Sequence, residues 1–352
     1  MKKKVVIGMS GGVDSSVSAY LLKQQGYEVT ALFMKNWEEL NEQGQCRSTQ
    51  DYEDVQKVCD RIDIPCYSVN FVKEYKELVF SQFLEELKQG HTPNPDILCN
   101  REIKFKVFFE KALSLGADFL ATGHYSQISP SFELLRSFDE GKDQTYFLYT
   151  LKQAILKKTL FPIGHLPKKE VRRIAKEALL PTAEKKDSTG ICFIGKRDFK
   201  EFISHHISYQ KGLFTTLCGS VVGEHDGSSF YTIGQRKGLG IGGAGDAWFV
   251  VGKDTKNNIV FVEQGEDHPA LYKKELQASD LSWVSEAPPS SFPFACSAKI
   301  RYRAQDAPCL IESIQEGIAS VRFLEPQRAV TPRQSIVFYQ KEVCLGGGMI
   351  VP

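Results

Sequence analysis

Ser10-Gly11-Gly12-Val13-Asp14-Ser15-Ser16 follows an apolar run, Val5 to Met9, and precedes Val13, Val17, Leu21 and Leu22 at helical spacing. The order strand, glycine turn, helix predicts the opening of a parallel α/β domain. Gly11 and Gly12 let the backbone approach an anion and adopt torsions costly for other residues. Successive N–H groups can then form a nest at the positive end of the helix. Ser10, Ser15 and Ser16 offer hydroxyl donors, and Asp14 is placed to hold Mg2+. The G-x-x-x-x-G-K-[ST] pattern and its lysine are absent, which favours gripping pyrophosphate as a leaving group over γ-phosphate transfer. The competing structural reading is a plain turn with Ser10 or Asp14 as the helix cap.

Working outward, Val29 to Met34, Pro65 to Val69 and Phe119 to Thr122 read as further strands. Asp51 to Ile62, Tyr75 to Leu87 and Ile97 to Leu115 read as helices between them, implying a mostly parallel sheet covered on both faces. After about residue 205 helical periodicity fades. Short alternating segments take over: Gly219 to Val222, Trp248 to Val251, Ile259 to Val262, Ser297 to Tyr302, Ala319 to Phe323 and Ser335 to Tyr339. That is an all-β pattern. Residues 1–205, 206–273 and 274–352 are expected to form three domains.

The chain of 352 residues carries a net charge of +1, but residues 152–200 hold thirteen Lys or Arg against five acids. Such a tract is either a phosphate-binding footprint or a solvated helix face. Val5 to Met9 is too short for an export signal, so a cytoplasmic protein is expected. Nine cysteines include no Cys-x-x-Cys, which argues against a disulfide scaffold, a zinc ribbon or an Fe–S site.

Two cysteines stand apart. Cys99 follows Asn94-Pro95-Asp96-Ile97-Leu98, near a predicted helix start, with Arg101 and Lys104 close by to favour its thiolate. Asp96 is placed to cap that helix or to act as a general acid or base. Cys192 lies between Gly190 and Gly195 inside the basic tract. A thiol that carries a persulfide and a second that resolves it would suit sulfur transfer. Packing suits Cys59, Cys66, Cys218, Cys296, Cys309 and Cys344, while Cys46 stays open.

The Ser10-to-Ser16 string resembles the pyrophosphate loop of the PP-loop ATPases, a Rossmann-like superfamily that adenylates its substrates. Gly8-Met9-Ser10 through Ser16, Asn94 to Cys99, Thr122-Gly123-His124-Tyr125, Lys142-Asp143-Gln144, Asp187 to Gly195, Gly234 to Gly240 and Cys344 to Gly348 together resemble the bacterial tRNA 2-thiouridylases. The resemblance implies a PP-loop domain followed by two β-rich domains, the last a β-barrel. It implies ATP with Mg2+ as co-substrate and no resident metal or Fe–S cluster. The reaction implied is 2-thiolation of the wobble uridine of tRNAs for Lys, Glu and Gln, with sulfur from a relay protein or cysteine desulfurase. Cys99 would be the nucleophile, Cys192 would carry the persulfide, and the two would form a transient disulfide. Gly8, Met9, Ser10, Gly11, Gly12, Val13, Asp14, Ser15, Met34 and Gly123 would meet ATP. Asn94, Pro95 and Asp96 would meet the uridine. His124, Lys142, Asp143, Gln144, Arg301, Tyr302 and Gln334 would meet tRNA.

Alternation with Ile300 and Tyr302 puts Arg301 and Arg303 on one strand face, suited to phosphates. This chain has Thr331-Pro332-Arg333-Gln334 where the family usually has glycine third. The family's glycine suggests a turn that tolerates positive φ, so Arg333 is expected either to alter how Gln334 is presented or to add a phosphate contact. The rival readings are a PP-loop ligase or amidotransferase, for which no glutaminase-like region is present, and a nucleotide-dependent tRNA-binding module without turnover.

Overall fold

The computed structural model describes residues 2–38, 47–187 and 198–351. Strands β1 (Lys4–Met9), β2 (Glu28–Lys35), β3 (Cys66–Asn70) and β4 (Phe119–Ala121) are joined by helices, among them α1 (Val13–Gln24) and α2 (Arg47–Ile62). A hairpin of β5 (Gln127–Ile128) and β6 (Leu134–Leu135) follows, then β7 (Thr159–Leu160) and α3 (Lys168–Glu177). The parallel sheet runs β3-β2-β1-β4-β7. Val5, Ile7 and Met9 pack to one face while Val6 faces the other, so both faces carry a core. Strand order reverses at β1, because β2 and β3 lie on one side and β4 on the other. In open α/β sheets ligands bind at the carboxyl ends of strands flanking such a reversal.

The helical run predicted over Ile97 to Leu115 begins at Pro95 and is not regular. It widens over Cys99–Val107 and kinks at Phe105, where φ is −105° and ψ 15°.

A four-stranded sheet follows: β8 (Gly212–Thr215), β9 (Val221–His225), β10 (Trp248–Asp254) and β11 (Ile259–Gln264), in the order β10-β11-β8-β9. The last strands are β12 (Tyr272–Trp283), β13 (Phe294–Lys299), β14 (Ala307–Gln315), β15 (Ile318–Arg328), β16 (Ser335–Gln340) and β17 (Val343–Ile350). They pair as β12-β15-β14-β13-β16-β17, and β17 returns to β12, closing a six-stranded barrel without free edges. Its core includes Phe323, Phe338 and Trp283, the last two stacked at 5.7 Å. Each such side chain contributes roughly 1.5–3 kcal/mol when withdrawn from water. The β5–β6 hairpin, although early in sequence, hydrogen-bonds to β17 through Val343 and Cys344. The barrel is therefore fastened directly to the nucleotide-type domain. Among the described residues no helix is long and apolar enough to cross a membrane.

Two sequence expectations fail here. Arg301 and Arg303 do not alternate on a strand: β13 ends at Lys299 and both lie in the following turn. Cys218 is exposed in the β8–β9 turn, bonded to Thr216 Oγ1 at 3.0 Å, rather than packed in a core. Cys59, Cys309 and Cys344 are buried; Cys66 and Cys296 are half-buried. Cys46 and Cys192 lie outside the described residues.

Candidate active site

The phosphate-type loop leaves the end of β1 and enters α1. Gly11 has φ +74°, and a Cβ there would lie 2.7 Å from the Asp51 carbonyl oxygen, so glycine is required. Gly12 occupies the cap position, and no side chain caps the helix. The competing reading, a cap by Ser10 or Asp14, is not what the structure shows, which leaves the first N–H groups of a twelve-residue helix to a ligand. Ser15 Oγ and Ser16 Oγ both donate to the Gly12 carbonyl, at 3.2 and 2.8 Å, and Ser10 N donates to Ser15 Oγ at 3.2 Å. The loop is held in shape before any ligand arrives.

Gly123, just past β4, faces this loop across the strand reversal. A Cβ on it would stand 2.7 Å from Ser15 N and 2.9 Å from Asp14 C, both backbone atoms that cannot step aside. Gly123→Ala is expected to displace the loop and weaken ATP binding about tenfold or more, by an overpacking cost of ~1–3 kcal/mol. Calorimetric titration with ATP checks this; unchanged affinity would separate Gly123 from the nucleotide site.

Asp14 does not stand free as the magnesium ligand that its place in the loop suggests. Both its oxygens accept from Lys168 Nζ, at 2.7 and 2.8 Å, and Oδ1 also accepts from Tyr125 OH at 2.8 Å. Burial, then the neighbouring Asp14 charge, pushes the Tyr125 phenol well above its usual range, so it stays a donor. Lys168 Nζ also reaches Asp187 at 2.9 Å, and Asp187 pairs further with Arg172 at 2.7 Å and Lys142 at 2.8 Å. Burial would raise the Asp187 carboxyl, but bonds from Lys142 and Lys168 outweigh it and bring it down to about 2. A lysine thus reaches the loop from α3, 154 residues further on. Sequence reasoning missed Lys168, Tyr125 and the role of Asp187, because tertiary contact alone brings them to the loop. The basic tract had drawn attention to the region, yet much of its charge is spent internally. Arg173 pairs with Glu170 and Glu177, and Lys185 with Asp51 and Asp54.

On the other side of Gly123, His124 Nδ1 shares a hydrogen with Thr122 Oγ1 at 2.8 Å, and Nε2 lies 3.5 Å from Lys104 Nζ. Burial first, and then the Lys104 charge, hold His124 well below its usual value, so its ring is neutral. Lys104 also acts on Asp96, opposing a burial effect that raises that carboxyl. Asp96 does not cap its helix. Asn94 does, accepting the Asp96 N–H at 3.1 Å, with Pro95 at the first helical position. Cys99 sits one turn further, 3% exposed. Arg101 turns away to Glu102 at 2.9 Å and Asp280 at 3.0 Å, leaving Lys104 as the cation on the Asp96 side.

The remaining expected contacts differ in availability. Met34 is half-buried at the end of β2. The Asp143 carboxylate is buried and accepts from Ser137 N at 2.9 Å and Thr145 Oγ1 at 2.6 Å. Gln144 Oε1 accepts from Tyr125 N at 2.9 Å. Arg301 donates inward to the Ile233 and Ala329 carbonyls, at 2.6 and 2.9 Å, and to Thr331 Oγ1 at 2.7 Å. Its guanidinium braces two domains rather than facing solvent on a strand. Tyr302 packs on Phe147 at 4.4 Å with Arg303 over its ring. Arg333 has φ +68°, the left-handed backbone that the family's glycine suggests, and its guanidinium pairs with Glu86 rather than standing free for a phosphate; Gln334 Nε2 donates to the Thr92 carbonyl.

Three family models match successive parts of the chain: a tRNA methyl transferase HUP domain over residues 3–196, a tRNA methyl transferase PRC-barrel domain over 200–264, and an aminomethyltransferase beta-barrel domain over 273–350. The chain is 63% identical to the tRNA-specific 2-thiouridylase MnmA of Protochlamydia amoebophila, covering 99% of this chain and 93% of the relative. It is 57% identical to a protein of the same description from Geobacillus kaustophilus, covering 99% and 94%. For the Bacillus subtilis relative the identity is 56% over 350 residues. With identity this high over nearly the full length of each relative, the chain belongs to the tRNA-specific 2-thiouridylase family.

Proposed function

We propose that this chain replaces the C2 oxygen of the wobble uridine of tRNA with sulfur, in two stages driven by ATP. The uridine, flipped from its stack, presents O2 to the α-phosphorus of ATP. The O–P bond forms as the bond to pyrophosphate breaks, which makes AMP the leaving group on C2. A persulfide sulfur on Cys192 then bonds to C2 as AMP departs. Cys99 attacks the Cys192 sulfur, releases 2-thiouridine and leaves a Cys99–Cys192 disulfide for an external thiol to reduce. If Cys99 attacks before transfer, free sulfide carries the sulfur and the electron count is the same.

In this reading Gly8 to Ser15, Met34 and Gly123 hold ATP. The uncapped N–H groups of α1 and the Lys168 ammonium neutralise the departing pyrophosphate, and Mg2+ enters with the nucleotide as part of the co-substrate. Asn94, Pro95 and Asp96 receive the base. Tyr302 faces tRNA in this reading, while His124, Lys142, Asp143, Gln144, Arg301 and Gln334, whose polar atoms are engaged within the chain, act by ordering the surface that meets it. The sulfur donor is a persulfide-bearing relay protein or cysteine desulfurase, the tRNAs are those for Lys, Glu and Gln, and the compartment is the cytoplasm.

One observation supports this reading most. The Gly123–His124 step touches the phosphate loop, and His124 lies 3.5 Å from Lys104, whose charge also acts on Asp96, which supports activation taking place beside the Asn94–Cys99 turn. The test supplies ATP, a persulfide donor and unmodified tRNA, and scores pyrophosphate and 2-thiouridine by mass spectrometry. Pyrophosphate without thiouridine, or neither, would defeat the assignment.

Asp96 adds a prediction with opposite signs for stability and activity. Burial raises its folded pKa above the unfolded value, so the folded state holds the proton better. The corresponding stabilisation is present at low pH and is lost as pH rises through the raised value. Above that raised value the ionised carboxylate is a net cost. Asp96→Asn should therefore raise the melting temperature there while slowing thiolation. A lowered melting temperature would show that the carboxylate is needed for packing instead.

A further inference from the structure

Just upstream of the Asn94–Cys99 turn, all three domains meet on Glu86–Thr92. Lys253, on β10, donates to the Gly90 carbonyl at 2.5 Å, the Tyr231 carbonyl at 2.8 Å and Thr92 Oγ1 at 3.5 Å. Gly90 has φ +76° with the Thr255 side chain packed against it. Ser229 Oγ donates to the Leu87 carbonyl at 2.5 Å. From the barrel, Arg333 clamps Glu86, which also binds His91 Nδ1 at 2.9 Å, and Gln334 holds the Thr92 carbonyl.

We propose that Lys253 is a positioning residue: its three donors fix Gly90 and Thr92, and thereby the Asn94–Cys99 turn that receives the uridine, with Arg333 holding the same junction from the barrel. The proposal rests on the thiolation reading above. Lys253 has no carboxylate partner among the described residues, so its desolvated ammonium is a poor device for stability. An apolar side chain would fill the space at lower cost. What the ammonium supplies is geometry, because it ties two carbonyls and a hydroxyl to one point. Thr92 lies two residues from Asn94, and Pro93 and Pro95 stiffen the path between them, so a shift at Thr92 is passed on rather than absorbed.

Burial holds the Lys253 amine down to about 8. At the junction His91 is held toward its neutral form by burial and then by the Lys253 charge, and Glu86 is paired with Arg333; Asp254, the neighbour of Lys253 on β10, turns outward to Asn257, and Tyr231 meets Lys253 through a carbonyl. Above pH ~8 the neutral amine has two N–H groups for three acceptors, and the junction loosens. Stability moves the other way. The folded value lies below the unfolded one, so between pH ~8 and ~10.4 this group's contribution to stability rises with pH.

The experiment compares single-turnover thiolation, ATP affinity and melting temperature for the wild-type chain, Lys253→Met, Lys253→Arg and Arg333→Gly from pH 7 to 9.5. Lys253→Met is expected to slow thiolation about tenfold to a hundredfold, the scale of a misplaced reactant, with ATP affinity unchanged and melting temperature equal or higher. Lys253→Arg should recover most of the rate and remove part of the alkaline fall, and Arg333→Gly should slow the rate without weakening ATP. Wild-type rates in Lys253→Met, or losses that follow melting temperature, overturn the proposal. A wild-type chain that releases pyrophosphate with tRNA but forms no thiouridine overturns the thiolation reading alone, because pyrophosphate release then reads the same Lys253→Met effect.

Discussion

Cys99→Ala should abolish 2-thiouridine formation while leaving pyrophosphate release intact for one turnover. In the proposed reaction activation draws on the phosphate loop, the uridine oxygen and the Lys168 charge, none of which involves the thiol. In the proposed reaction Cys99 is the nucleophile that resolves the persulfide, and removing a nucleophile typically costs at least about 10³-fold in rate. The side chain is 3% exposed, so truncation also leaves a small void. That void is the size of a single sulfur atom and should cost on the order of 1 kcal/mol, well short of unfolding. Quench-flow measurement of pyrophosphate beside mass spectrometry of the tRNA separates the stages. Wild-type thiolation in Cys99→Ala would make the residue a packing cysteine. Simultaneous loss of pyrophosphate would place it in the activation step.

The sequence made the loop legible because the loop is local: strand, Gly-Gly and helix are contiguous, and no distant residue is needed to recognise them. The Asn94–Cys99 turn was legible for the same reason, although its cap was not. Asn94 and Asp96 are both good caps, and the chain uses Asn94 because Pro95 fits the first helical position. The β-strands after residue 205 were detected where they alternate, as at Trp248 and Ile259. β8, β12, β14 and β17 escaped: β8 is only four residues long, β14 carries Pro308 and Cys309 in its alternating start, β12 has irregular burial, and β17 contains three consecutive glycines. Those glycines are close-approach positions: a Cβ at Gly347 would lie 2.3 Å from the Ile336 carbonyl, and one at Gly346 2.1 Å from that of Ser282. What sequence could not show was pairing at a distance. Arg301 reads as a surface arginine on a strand, and becomes an internal brace only because Ile233, Ala329 and Thr331 converge on it. Arg333 is the reverse case, where the family's glycine pattern located a left-handed backbone but not its Glu86 partner.

Lys168 illustrates the same gap at the centre of the chemistry, and Lys168→Met is expected to slow pyrophosphate release by about 10²–10³-fold, the cost of removing a charge aimed at a developing anion. A lysine at the first position of a helix is electrostatically disfavoured by the helix dipole. Here the helix end is met by Asp139, which accepts the Lys168 backbone N–H at 2.8 Å, while the ammonium is drawn to Asp14 and Asp187. Its side chain is only 12% exposed. The Lys168→Met substitution therefore leaves two carboxylates short of a cation, and folding contributes to any loss, since breaking a buried pair costs roughly 3–5 kcal/mol. Asp14→Asn resolves this, because it removes the pair from the other side and keeps the Tyr125 contact. If Lys168 served only to neutralise Asp14, the double variant Asp14→Asn/Lys168→Met would release pyrophosphate as fast as Asp14→Asn alone. If the ammonium meets the phosphates, the double variant stays slow even where its melting temperature recovers. Recovery of both rate and stability would return Lys168 to a structural role and leave the anion to the α1 N-terminus alone.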